Sequence, residues 1–119
     1  MLREMVRTVA LMGALLALGA CGSEVGTDGV VVGGSCVVNN ECHVDSRCLT
    51  GADFPDGYCA KSCASDADCP AGSRCADVLG GVCLQECAST DECRTDDGYE
   101  CVERPSRGAA GTATVCATP

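Results

Sequence analysis

Cys63-Ala64-Ser65-Asp66-Ala67-Asp68-Cys69-Pro70-Ala71-Gly72-Ser73-Arg74-Cys75, closed by Gly81-Val82-Cys83, is the clearest copy of a cysteine motif that recurs along the chain. Its cysteines stand at intervals x5, x5 and x7, and the same cadence lies on either side of it. Before it comes Cys36-x5-Cys42-x5-Cys48-x10-Cys59, and after it Cys87-x5-Cys93-x7-Cys101-x14-Cys116. The copies start 27 and then 24 residues apart. Agreement extends past cysteine: an acid precedes the second Cys of every copy (Glu41, Asp68, Glu92). Ser-Arg precedes the third Cys twice, and Gly-x-Cys closes two copies at Gly57 and Gly81. A repeat at a fixed short period is one structural unit copied in tandem.

The residues between the cysteines are rich in Gly, Pro, Asp, Ser and Asn, which favour turns, and none of these gaps holds a stable helix. After residue 20 there is no Trp or Ile, one Phe, two Tyr and three Leu. So few large apolar residues predict almost no core, and chain entropy of about 1–2 kcal/mol per ordered residue must be offset otherwise. Disulfides are the expected restraint, each closing a loop for about 3 kcal/mol. The fold class is therefore small and disulfide-rich: three tandem modules of short hairpins and loops with little regular secondary structure. The expected modules are residues 36–62, 63–86 and 87–119, with Ala60-Lys61-Ser62 and Leu84-Gln85-Glu86 as joints between independent beads. Four cysteines allow three pairings. First-to-third with second-to-fourth is preferred, because interlocked loops define a compact knot better than two consecutive clasps.

The amino-terminal third reads differently. Met1 to Ala20 has a weakly basic start with Arg3 and Arg7, then thirteen residues, Thr8 to Ala20, that are apolar or small. This pattern is that of a secretory signal, and it falls short of the roughly 20 residues that a membrane-crossing helix needs. Leu18-Gly19-Ala20-Cys21 resembles the bacterial lipobox. The resemblance implies cleavage before Cys21, a diacylglycerol on its thiol and membrane attachment through that lipid. Gly22, where Asp marks inner-membrane retention in many such lipoproteins, implies the outer membrane. Of thirteen cysteines, removing Cys21 leaves twelve, the even number that full pairing requires. Gly22 to Ser35 is rich in Gly and lacks Cys and aromatics, so it reads as a flexible tether, with Val30 to Val32 as an alternative short strand.

Met1 to Ala20 holds two of the eight basic and one of the seventeen acidic residues, leaving a mature part with six against sixteen and a net charge of −10. Phosphate backbones are held by clustered Lys and Arg, so nucleic acid is not an expected partner. Anionic membrane surfaces repel such a body, which is expected to stand off from the lipid.

Exported cysteines meet an oxidising compartment, which favours disulfides over thiolate–metal sites. The only close pairs with zinc-like spacing, Cys59-x3-Cys63 and Cys83-x3-Cys87, straddle the joints. His43 is the only histidine and has no nucleophile motif beside it. The acid pairs Asp66/Asp68, Asp91/Glu92 and Asp96/Asp97 lack the alternating series of a calcium loop. No cofactor and no catalytic activity are expected.

The module resembles the cysteine-rich repeats of exported myxobacterial proteins and the amino-terminal cysteine-rich domain of Dickkopf proteins, over residues 36 to 116. That resemblance implies a binding or spacer role at the cell envelope, with a protein or glycan partner. The alternative is a small protease inhibitor using the long inserts Leu49–Tyr58 and Val102–Val115 as reactive loops.

Overall fold

The computed structural model describes residues 24–119; Cys21 and the leader lie outside them. Each module is built the same way. The chain enters extended, passes the first Cys and makes one 3-10 turn (Asn39–Glu41, Asp66–Asp68 and Thr90–Glu92 in the three copies). It then passes the second Cys and runs through an antiparallel hairpin. The hairpins are β1 Arg47–Leu49 with β2 Tyr58–Ala60, β3 Ser73–Ala76 with β4 Val82–Gln85, and β5 Glu100–Pro105 with β6 Thr112–Ala117. The longer gap between the second and third cysteines of the last copy is taken up by a further 3-10 turn, Thr95–Asp97.

The register explains the pairing. Cys48 stands opposite Cys59, Cys75 opposite Cys83 and Cys101 opposite Cys116. Residues directly opposed on an antiparallel ladder project to one face. The third and fourth sulfurs of each module therefore point together at the preceding loop, which carries the first and second. The bonds cross as first-to-third (Cys36–Cys48, Cys63–Cys75, Cys87–Cys101) and second-to-fourth (Cys42–Cys59, Cys69–Cys83, Cys93–Cys116).

Two expectations are corrected. The modules are not beads on joints but share one core, in which Tyr58, Tyr99, Leu84, Val32, Val82 and Val115 are all less than 2% exposed. Burial of each such side chain stabilises by about 1.5–3 kcal/mol, so few residues suffice when all three modules contribute to one interior. The joints are also hydrogen-bonded: Ser62 bridges Val82, Glu86 bridges Val115, and the Cys83 N–H donates to the Lys61 carbonyl at 2.8 Å. The incoming chain of each module thus lies along the hairpin of a neighbour or its own.

The second correction concerns Gly22 to Ser35. From Glu24 onward this segment is packed rather than flexible, with Val31 and Val32 buried in the common core. The Glu24 carbonyl accepts from the N–H groups of Val31 and Val32 at 3.0 Å each, and Val25 bridges Val32. Gly33 N–H donates to the Cys59 carbonyl (2.8 Å), while Cys59 N–H donates to that of Gly34 (2.9 Å). Gly33-Gly34-Ser35 therefore does for the first module what Ala60-Lys61-Ser62 does for the second. Its glycines suit close backbone approach: a Cβ on Gly33 would lie 2.3 Å from the Gly26 carbonyl oxygen.

Candidate functional site

The acids that recur in the sequence hold the turns. Glu41 accepts from the N–H groups of Val37 and Val38 (2.5 and 3.2 Å). Asp68 accepts from Ala64 and Ser65 (2.7 and 3.3 Å), and Glu92 from Ala88 (3.1 Å). A second recurrent position escapes the sequence reading because three residue types share it. The first residue of each turn accepts from the N–H of the third Cys: Asn39 from Cys48 (2.9 Å), Asp66 from Cys75 (2.7 Å) and Thr90 from Cys101 (3.1 Å). The signal is a side-chain acceptor two places before the acid in every copy, which polar short-chain residues provide. Asp66 and Glu41 are both held below the usual carboxylate range, chiefly by these backbone donors. Their oxygens, like those of Asp97 facing Arg94, are engaged within the protein rather than converging on a common cation position.

The sulfurs do converge. In each module three of them, Cys36/Cys42/Cys59, Cys63/Cys69/Cys75 and Cys87/Cys93/Cys116, lie within 4.8 Å of one another. Every one belongs to a disulfide, so the clustering reflects two crossing bonds. Thiolate, the form that ligates zinc, is absent from a disulfide sulfur.

Arg94 is the side chain that ties the ends of the molecule together. Only 8% exposed, it donates from Nε to Asp97 (2.8 Å), from Nη1 to the carbonyls of Gly33 (3.0 Å) and Gly57 (2.8 Å), and from Nη2 to that of Pro55 (3.0 Å). Its guanidinium carbon sits 4.7 Å from the centre of the Tyr99 ring, a cation–π arrangement. Tyr99 packs on Tyr58 with ring centres 5.5 Å apart and donates its hydroxyl to the Pro55 carbonyl at 2.9 Å. Burial pushes the Tyr99 phenol up to about 12, and burial raises the Tyr58 phenol as well. The Tyr58 oxygen accepts from the Gln85 N–H at 2.9 Å, so one aromatic residue of the first module serves the second.

These contacts decide which inserts are free. The Leu49–Tyr58 insert is pinned at its second half, where Phe54 is buried and the Pro55 and Asp53 carbonyls accept from the third module, the latter from Thr118 (3.3 Å), while residues 50–53 form an exposed tip. Most of Val102–Val115 is ladder, leaving an exposed tip at residues 107–112. Even there the base is fixed, since Arg107 pairs with Asp77 at 2.9 Å and its N–H donates to the Cys75 carbonyl at 3.0 Å. Further exposed turns are the Asn39–Ser46 region and the tip at Leu79, which adopts φ of 51° and is 63% exposed.

His43 is exposed. Its Nδ1 accepts from the Asp45 N–H at 3.2 Å and faces the Asp45 carboxylate at 3.9 Å. The shallow recess beside it is lined by Glu24, Lys61, Asp68 and the disulfide-bonded Cys69, with no free hydroxyl or thiol nucleophile among its lining residues. A second recess of about 240 Å³, floored by Phe54, Val78 and Leu84 and rimmed by Asp53 and Arg104, marks where the three modules meet. The exposed turns stand on a frame held by six disulfides.

Comparisons with protein-family models, with curated proteins and with solved structures returned no match.

Proposed function

We propose that this chain is an exported, lipid-anchored module of the cell envelope, carried by Cys21 in the outer membrane, that binds a protein or glycan partner without catalysing a reaction. The observation that carries the binding reading is the rigidity of the frame behind its exposed turns. Six disulfides, the buried Arg94 and a shared core hold those turns in place. Loops ordered before binding lose less conformational freedom when a partner arrives, which is how small stapled scaffolds reach useful affinity. The lipid anchor rests on Leu18-Gly19-Ala20-Cys21 and on the even count of the remaining cysteines, all twelve of which are paired.

Expression of wild type and Cys21→Ser in a bacterial host with lipoprotein processing, fed a labelled fatty acid, tests the anchor. Wild type should carry label and fractionate with membranes, and the variant should do neither. A wild-type chain that keeps its leader and takes no label overturns the anchor. Capture of envelope proteins and glycans on the lipid-free mature chain tests the binding reading. A partner lost on substitution of Leu79 or of residues 107–112 supports it, and capture insensitive to every exposed turn refutes it.

The inhibitor alternative rests on the exposed parts of its two inserts, residues 50–53 and 107–112. A protease panel showing sub-micromolar inhibition abolished by changes there would establish it over the envelope-binding role.

A further inference from the structure

The recess where the three modules meet differs in kind from the exposed turns. Its floor is apolar, with Phe54 from the first module and Val78 and Leu84 from the second. Two charged side chains line it: Asp53 on the tip of the first module's insert and Arg104 on β5 of the third. Apolar walls with a few placed polar groups are the general form of a small-molecule site. At about 240 Å³ the recess falls below the roughly 300–1,000 Å³ of drug-sized pockets, so a ligand that fits it is small.

Arg104 is placed to receive an anion. Arg74, Arg94 and Arg107 each meet a carboxylate within 4.0 Å. Among the described residues no carboxylate, that of Pro119 included, comes within that distance of Arg104. Backbone carbonyls hold its guanidinium instead: Nη1 donates to that of Glu103 at 2.9 Å and Nη2 to that of Thr118. A guanidinium carries five N–H donors, so two are spent and three are left over. The adjoining acid, Glu103, accepts from the Thr112 hydroxyl at 3.2 Å and does not line the recess. In so acidic a body, a partly buried guanidinium without an acid beside it is a charge that a ligand can meet.

Thr118 fixes both rims. Its hydroxyl donates to the Asp53 carbonyl at 3.3 Å, and its carbonyl is the one that Arg104 grips. The Asp53 carboxylate and the guanidinium nevertheless stay more than 4.0 Å apart. Opposite charges set around one apolar floor, but not joined to each other, match a zwitterion that bears its ammonium, carboxylate and apolar side chain on a single carbon.

We infer that this recess binds a free apolar α-amino acid of about leucine's size, its carboxylate on the Arg104 guanidinium, its ammonium on the Asp53 carboxylate and its side chain on Phe54, Val78 and Leu84. Paired guanidinium–carboxylate hydrogen bonds fix the orientation. Contact with the apolar floor favours leucine over glycine and over polar amino acids. The site depends neither on the lipid anchor nor on the partner of the exposed turns.

The test is titration of the oxidised, lipid-free mature chain with L-leucine, followed through backbone amide NMR signals. Saturable shifts should appear at Asp53, Phe54, Val78, Leu84, Arg104 and Thr118, and not at His43 or Ala110. Leucinamide, which lacks the carboxylate, and N-acetylleucine, which lacks the ammonium, should each bind at least about tenfold more weakly, the loss expected for one charge-assisted hydrogen bond. Asp53→Asn, at an exposed position where the fold is not at stake, should weaken leucine by a similar factor and leave N-acetylleucine unchanged. Arg104→Gln should weaken leucine and leave leucinamide unchanged. Absence of saturable shifts up to the solubility limit of leucine overturns the inference, as does equal binding of either derivative or indifference of leucine to Asp53→Asn. Tighter binding of the dipeptide Leu-Leu than of leucine would overturn the assignment to a single amino acid.

Discussion

Replacing Arg94 with Ala tests whether three modules form one cooperative body. The wild-type side chain is 8% exposed and makes hydrogen bonds to Asp97 and to the carbonyls of Gly33, Gly57 and Pro55. Removing one partner of a buried, hydrogen-bonded charge pair costs about 3–5 kcal/mol. The Asp97 side chain is 26% exposed, so water rehydrates part of what is lost and the lower end, about 3 kcal/mol, is the expected value. With a urea slope of about 1.5 kcal/mol per molar the unfolding midpoint should fall by about 2 M. The informative readout is where hydrogen exchange accelerates in the oxidised variant. Acceleration should reach the amides of Gly33, Gly57 and Cys59, far away in sequence, because the long insert of the first module loses its clamp. Arg94→Lys should recover little, since an ammonium cannot span four acceptors as the planar guanidinium does. A midpoint shift of a few tenths of a molar, with faster exchange confined to residues 87–101, would refute the shared-body reasoning.

Three further outcomes follow from the same contacts. Gly57→Ala should destabilise far more than Gly51→Ala, although both have positive φ: a Cβ at Gly57 meets the Cys36 carbonyl oxygen at 1.8 Å, while at Gly51 nothing lies within 4 Å. Thermal melts of the two oxidised variants compare them, with about 1–3 kcal/mol expected from backbone strain alone at Gly51. Asp56, at φ of 61°, has its carboxyl pKa raised by hydrogen bonding to Asp97, then by the charge of Asp97, so its stabilising contribution is present at low pH and lost as pH rises through the folded pKa. Asp56→Asn keeps a donor toward Asp97 at every pH and tolerates the left-handed backbone. It should raise the melting temperature at neutral pH and converge with wild type in acid; a constant offset at all pH values would count against the pairing. Removal of Cys63 and Cys75 together to Ala, a bond spanning 12 residues, should cost about 3 kcal/mol. Because both cysteines line the common core, exchange protection should fall in all three modules, and loss restricted to residues 63–83 would restore the independent-bead picture.

Much of this protein can be read from cysteine spacing. The number of modules, their boundaries near residues 36, 63 and 87, the hairpins and the scarcity of helix follow from it. A disulfide needs its two Cα atoms within a narrow range, and short polar gaps permit only tight turns between them. The interlocked pairing was the preferred one of three, and the opposed register of Cys48 with Cys59, Cys75 with Cys83 and Cys101 with Cys116 supplies its reason. The recurrent acid was visible as a pattern; that it accepts from backbone N–H groups at the start of the turn after the first Cys appears only in the tertiary structure.

The assembly of the modules was not legible. Apolar counts predicted no core, since they treat each module alone, whereas Tyr58, Leu84, Val115 and Tyr99 come from three modules and fill one interior. Gly22 to Ser35 read as a tether by its glycine content, yet glycine also permits the close backbone approach that docks Gly33 and Gly34 on Cys59. Arg94 carries no local signal, because its acceptors are carbonyls of residues 37 to 61 positions away and any residue type offers a carbonyl. Covalent pairing and turns depend on chemistry a few residues apart and are written in the sequence itself. Which inserts are pinned and which turns stay free depend on long-range backbone contacts, and only the tertiary structure decides them.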